Sequence, residues 1–183
     1  YSNGNHEQRM KENTKKYGNV FERYQKKLRE ADVRFLENDS AEFTKNGLRI
    51  MLTGLELPME TYEKFRHMDV CGEDVARQVG TASEGYFHIL MAHNPVYFSG
   101  YKEWGADLVL SGHLHGGIVR IPGWRGCITP QAFPFPKYSG EMTTEEEHTI
   151  IVSKGLGTHT INLRLFNEPE VVVVHIHGGH RKK

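Results

Sequence analysis

Cysteine is nearly missing from this 183-residue chain, and Cys71 and Cys127 stand alone with no Cys-x-x-Cys pair. That excludes a zinc ribbon and a dense disulfide framework, and leaves one disulfide or two free thiols, with isolated positions favouring the thiols. Long apolar runs are also lacking. None approaches the roughly 20 residues that a membrane helix requires, and the first residues show no charged-then-apolar leader pattern. Neither sign of charge is in excess, Lys plus Arg and Asp plus Glu each numbering 23. The electrostatic footprint of a general nucleic-acid binder is therefore absent, and no nucleic-acid partner is expected. The length fits one domain with a real core, which we place at residues 1–177, followed by a solvated basic tail at 178–183.

Histidine is abundant by contrast, at 11 residues, and neutral imidazole is the commonest metal ligand, so its spacing decides what it means. The opening Tyr1-Ser2-Asn3-Gly4-Asn5-His6-Glu7 has loop composition, and the chain is expected to continue upstream of it. Met10, Tyr17, Phe21, Tyr24 and Leu28 recur at helical spacing and predict a helix over 8–30. Short runs at 33–37, 42–44 and 48–54, separated by Asn-Asp-Ser and Asn-Gly, predict antiparallel strands joined by tight turns. Residues 58–79 predict one broken helix or two short ones. Strands at 87–92 and 107–111 enclose a helix at 95–104, an alternation that suggests strands buried beneath helices. Further strands are expected at 118–121, 149–153, 160–166 and 170–176, with a long Pro-, Gly- and aromatic-rich connector at 122–148.

Three clusters carry chemistry: Gly4-Asn5-His6-Glu7, His93-Asn94-Pro95, and Gly112-His113-Leu114-His115-Gly116-Gly117. The last two follow apolar strands directly, and ligands bind at strand ends in open α/β sheets. Residues two apart on extended backbone point to one side, so His113 and His115 would both face one centre. Alone, His93 reads as an ordinary packed or surface histidine and Gly-Asn-His as turn chemistry. Their joint occurrence in this order changes the reading.

That order resembles the calcineurin-like metallophosphoesterase superfamily, whose blocks run Asp-x-His, Gly-Asp-x-x-Asp, Gly-Asn-His-Asp/Glu, His, then Gly-His-x-His; the chain contains the last three. Gly105 to Gly117, and Ser153-Lys154-Gly155-Leu156-Gly157 before Arg164-Leu165-Phe166-Asn167, are similar to the bacterial membrane-associated branch. The resemblance implies an α/β fold, the four-layer α/β/β/α metallophosphoesterase sandwich, here N-terminally truncated. It implies that Asn5, His93 and His113 bind one divalent metal and His115 the other, while His6 acts on the scissile phosphate as a catalytic residue. An Asn oxygen with several imidazoles suits Mn, Fe or Zn better than Ca or Mg. Two such ions would activate a hydroxide for in-line attack at phosphorus, and the reaction implied is hydrolysis of a phosphoester or diphosphate bond. The branch implies a phosphorylated small molecule or lipid-linked phosphate as partner, and membrane association through an N-terminal anchor.

The chain departs from the pattern in one respect. It contains no Asp-x-His and no Asp directly after a Gly, so the first-metal ligands and bridging aspartate have no candidates within it and are expected upstream of Tyr1. A non-catalytic binding module that keeps the fold is the alternative, as is a structural zinc site closed by His93, His113 and His115 with a fourth ligand. Residues 124–138 read as a substrate-facing lid or as a packed surface loop, and Arg120, Arg125 and Lys137 as substrate-binding cations or as solvated charges. Lys154 and His159 are weaker candidates of that kind. His175-x-His177 reads as a strand end and Glu145-Glu146-Glu147 as a solvated loop.

Overall fold

Apolar runs with β-branched residues pair into a single six-stranded sheet in a computed structural model, which describes residues 1–63, 68–117, 120, 135–158 and 164–177. Its strands are β1 (Asp39–Lys45), β2 (Leu48–Leu55), β3 (Phe87–Ala92), β4 (Leu108–Ser111), β5 (Met142–Glu145) and β6 (His148–Val152), arranged in the order β1-β2-β3-β4-β6-β5. The inner strands β2, β3, β4 and β6 run parallel, and the two edge strands are antiparallel hairpin partners. Asn46 and Gly47 make the first hairpin turn with φ of 53° and 79°, the left-handed pair that a two-residue turn matching strand twist requires.

The α-helices among the described residues are α1 (Asn5–Glu12), α2 (Thr14–Tyr17), α3 (Val20–Glu30), α4 (Gly72–Val79) and α5 (Phe98–Trp104). The single helix expected over 8–30 is therefore three pieces, starting earlier at Asn5. The side chain of Asn13 accepts from the Lys16 amide at 3.2 Å and starts a new turn, and Gly18 stops that turn at φ 58°. Residues 33–37 form no strand; Leu36 N–H donates instead to the Tyr1 carbonyl at 2.8 Å, while Phe35 and Leu36 bury their side chains. Of the one broken helix or two short ones expected between 58 and 79, the structure shows two separate pieces, a 3-10 turn at Met59–Tyr62 and α4. β5 lies inside the span expected to be a connector, and Glu146 at φ 56° turns it into β6. Glu145 is no solvated loop residue, for it accepts from Lys102 at 3.1 Å and Tyr138 at 2.6 Å. Residues 171–176 are irregular and exposed, with Val171 and Val173 each 72% accessible. Most of the strand expected at 160–166, part of that at 118–121, and the basic tail lie outside the described residues; Arg120 makes one bridge to Leu165, N to O at 3.1 Å.

Alternation along the strands separates two faces. Leu90, Ala92, Val109, Ile150 and Val152 face α4 and α5, where Val75, Phe98, Tyr101 and Trp104 cover them. Each fully buried Leu, Val, Ile or Phe among them contributes about 1.5–3 kcal/mol. Ile50, Ile89 and Leu108 form a smaller cluster on the other face with Leu52, Leu110 and Ile151. The result is the mixed α/β architecture that the motifs implied. No helix among the described residues is long and apolar enough to cross a membrane.

Close packing over β2 sets the position of the N-terminal segment. A Cβ on Gly54 would stand 2.1 Å from the Leu36 carbonyl oxygen and 2.9 Å from its carbon, and backbone cannot retreat as a side-chain tip can. Gly54→Ala should therefore lower stability by about 1–3 kcal/mol, read as a fall in the thermal midpoint; an unchanged midpoint would mean that residues 34–37 are not held against the strand.

Candidate metal centre at the carboxyl ends of the strands

The parallel strands stop at one level. Leu55 stands opposite Ala92, and Ser111 opposite Val152. Beyond that level Ser111 Oγ donates to the Ala92 carbonyl at 2.6 Å, Gly112 N–H to the His93 carbonyl at 3.1 Å, and Ser153 N–H to the Ser111 carbonyl at 2.9 Å. Glu56, His93, Gly112 and Ser153 thus form a rim at the carboxyl end of the sheet, the general position of ligand sites in parallel α/β proteins. A cleft of about 360 Å³ opens there, lined by Ser2, Asn3, His93, His113, His115 and Lys154 among others.

His93 is held by the turn that follows it. Asn94 is fully buried, its Oδ1 accepting from Val96 N–H at 3.2 Å and its carbonyl from the Tyr101 hydroxyl at 2.8 Å, with Pro95 beginning the next turn. Burial pushes the His93 imidazolium down to about 4, and the neighbouring His115 and His6 add to that. The ring is therefore neutral near pH 7, the form that offers a lone pair to a metal. His113 is buried, with its ring centroid 5.4 Å from that of His93 and 5.0 Å from that of Tyr62, which backs both rings. His113 and His115 both take left-handed backbone, φ 60° and 49°. The extended geometry expected for this pair is thus corrected to a tight loop. Such conformations cost of order 1 kcal/mol per non-glycine residue and persist only where surroundings over-determine them.

Asn5 arrives on the first turn of α1, buried, with exposed His6 beside it. Gly4 precedes the helix, and its N–H donates to Glu7 Oε2 at 3.1 Å, the backward half of a capping box. Two carboxylates bring this segment to the rim: Asn3 Nδ2 donates to Glu37 at 2.9 Å and Glu56 at 2.6 Å, and Lys11 pairs with both at 2.9 and 2.8 Å. A Cβ on Gly4 would lie 3.0 Å from Cε1 and 3.1 Å from Nε2 of His93, so residue 4 touches the imidazole although 89 positions separate them in sequence.

The chain belongs to the calcineurin-like phosphoesterase family. The model of that family matches residues 2–117, a span that contains Asn5, His6, His93, His113 and His115. Protein YpbG of Bacillus subtilis (strain 168) is 29% identical over 148 residues, covering 78% of this chain and 48% of its own length. The uncharacterized metallophosphoesterase YkuE of the same organism is 35% identical over 92 residues, 50% of this chain and 31% of its own. An uncharacterized metallophosphoesterase of Aquifex aeolicus (strain VF5) is 42% identical over 90 residues, 49% of this chain and 33% of its own. The chain thus spans about half the length of the first of these relatives and about a third of the other two. No solved structure gives a significant match. Membership suggests a hydrolase acting on phosphoesters with divalent metal.

Among the described residues, no group of three or more His, Cys, Asp or Glu side chains is gathered for a metal ion. His93 and His113 bring two imidazoles together at the rim, and such donors suit a borderline divalent ion. His115 lines the same cleft. The expected cations are distributed differently. Arg120 pairs with Glu141 at 3.3 Å and Lys137 with Glu145 at 2.7 Å, neither lining the cleft, and Arg125 and His159 lie outside the described residues. So do 124–134 of the expected lid. Lys154 does line the cleft, paired with Glu170 at 2.9 Å.

Sequence reasoning assigned no role to Asn167, which is buried and donates from Nδ2 to the carbonyls of His115 at 2.6 Å and Gly117 at 2.7 Å. Nor did it find Asn3, Glu37, Glu56 and Lys11. No spacing signal marks either set, because each acts across the fold.

The contact at Gly4 is a test of how tightly His93 is placed. Gly4→Ala forces the imidazole and the Glu7 carboxylate, each 3.0 Å from the added Cβ, to give by a few tenths of an ångström without backbone strain, since φ there is −88°. Calorimetric titration with Mn²⁺ should show affinity about tenfold weaker, at the low end of what displaced supporting groups cost a metal site, with little change in thermal midpoint. Equal affinity would mean that His93 is free to move.

Proposed function

We propose that this chain carries the nitrogen-rich half of a two-metal site that hydrolyses a phosphoester or diphosphate bond. The observation that carries the reading is the convergence of His93 and His113 at adjacent strand ends, with centroids 5.4 Å apart, where the segment bearing Asn5 crosses the same rim. Bound divalent ions would supply Lewis-acid polarisation of the phosphoryl oxygens and a nucleophile at neutral pH. The chain's own residues do the rest. Asn5 offers a buried amide oxygen, and His93 and His113 offer imidazoles held by packing against Tyr62, all to one ion; His115 faces the other. His6 sits exposed on the first turn of α1, where the positive helix end favours an anionic phosphate. There it donates a proton to the departing oxygen.

A cleft of about 360 Å³ accommodates a phosphoryl group and the first atoms of its leaving group, at the small end of ligand sites. That supports a phosphorylated small molecule or lipid-linked phosphate whose remainder lies outside. One observation favours a binding module without turnover: among the described residues, no Asp or Glu lines the cleft.

Two substitutions separate the readings. In the intact protein, His6→Ala should leave metal content unchanged while lowering turnover about a hundredfold to ten-thousandfold, most severely with a poor leaving group. His113→Ala should remove metal and activity together. Loss of metal in His6→Ala, or equal effects on good and poor leaving groups, would make His6 a ligand or a bystander; metal binding without any turnover would establish the module.

A further inference from the structure

We propose that Asn167 is a positioning residue that sets the direction of the His113 and His115 imidazoles by gripping the backbone of their loop; this rests on the reading of both histidines as metal ligands. The loop is conformationally improbable by itself. His113, His115, Gly116 and Gly117 all have positive φ, at 60°, 49°, 75° and 84°, and left-handed backbone is intrinsically disfavoured at the two histidines. Inside the loop, Leu114 N–H donates to Gly112 and Gly117 N–H to Leu114, both at 2.7 Å, and Leu114 buries its side chain. These bonds leave the carbonyls of His115 and Gly117 to be held from outside.

Asn167 holds them. Its Nδ2 lies 2.6 Å from one carbonyl oxygen and 2.7 Å from the other, an arrangement that fixes the amide orientation, because Oδ1 in that place would face two acceptors. Holding the carbonyl of His115 fixes the peptide plane that follows it, hence ψ at that residue and the direction of its side chain. The approach is close enough to require glycine: a Cβ on Gly116 would meet Asn167 Oδ1 at 2.3 Å.

Asn167 is itself anchored to the next strand end. Arg164 donates to the carbonyls of Lys154 at 2.9 Å and Gly155 at 3.2 Å, while Glu170 accepts from Lys154 N–H at 3.0 Å and donates its own N–H to Gly155 at 3.1 Å. The segment 164–170 therefore straps the loop after β6 to the loop after β4, with Asn167 the link between them. A side-chain amide that aims a ligand through its backbone is an outer-shell support of the kind that tunes metal sites.

The test uses the whole chain with Co²⁺ as probe, comparing wild type, Asn167→Ala, the isosteric Asn167→Asp, and His113→Ala. Both Asn167 variants should bind Co²⁺ about 10- to 100-fold more weakly and shift its visible absorption spectrum. Without metal, the amides of Leu114 and Gly117 should exchange with solvent at least about tenfold faster in these variants, while those of Leu90 and Val109 keep their wild-type rates. Wild-type Co²⁺ affinity and spectrum in both Asn167 variants, with binding lost in His113→Ala, would overturn this proposal alone. Equal acceleration at all four amides would also overturn it, making Asn167 a general contributor to stability. Full Co²⁺ affinity in His113→Ala would bring down the metal assignment itself, and the role of Asn167 with it.

Discussion

Ser111 closes the parallel sheet at the level where strand pairing gives way to loop, its hydroxyl donating to the Ala92 carbonyl at 2.6 Å while its own carbonyl accepts from Ser153. Everything at the rim takes its place from that row. His93 and Gly112 follow in the same line, joined by their own backbone bond at 3.1 Å, so the two histidine-bearing loops diverge from a common point. Their separation is set by strand spacing, about 4.8 Å in any sheet, and needs no flexible linker. Helices α4 and α5 keep the row flat by burying Ala92, Val109 and Val152 beneath Phe98 and Tyr101. The core and the site therefore share residues, and strain in the 112–117 loop is borne by well-packed strands.

Charge organises the remaining side of the rim. Glu37 and Glu56 would repel each other so close to the N-terminal segment, but Lys11 lies between them and Asn3 donates to both. Glu37 stays ionised below its ordinary range because Lys11, Asn3 and Gln25 offset the cost of its burial. This small network makes two carboxylates a holder for the turn that carries Asn5 and His6. Stable placement of a helix of only 8 residues depends on such tertiary fixation, since isolated helices of that length are marginal in water.

The candidate histidines and the strands that carry them were legible in the residue order, while the side chains that hold their loops, Asn3, Lys11, Glu37, Glu56 and Asn167, were not. Glycine-flanked histidines directly after apolar strand runs point to strand ends, and strands buried beneath helices followed from the alternation over 87–111, whereas their parallel pairing was not specified by it. β5 escaped because Met142–Glu145 is a polar edge strand with no buried residue, so its apolar period is weak. The break at Asn13 depends on a side chain capturing a neighbouring amide, which the helical apolar spacing on either side conceals. Residues 171–176 have strand composition and yet join no ladder among the described residues, since β-propensity expresses fit to a neighbour and not the chain alone. Asn167 was illegible for a different reason. Its partners are backbone carbonyls 52 and 50 residues away, and no side-chain pattern encodes them.

The central claim is that Asn5, His93 and His113 hold one divalent ion between them. A crystal of the protein grown with Mn²⁺ and measured at the manganese absorption edge tests it most directly. The account predicts an anomalous peak within coordinating distance of the Asn5 amide oxygen and one nitrogen each of His93 and His113, with His115 turned toward its far side. A peak elsewhere, or one that touches His6 in place of Asn5, would contradict it.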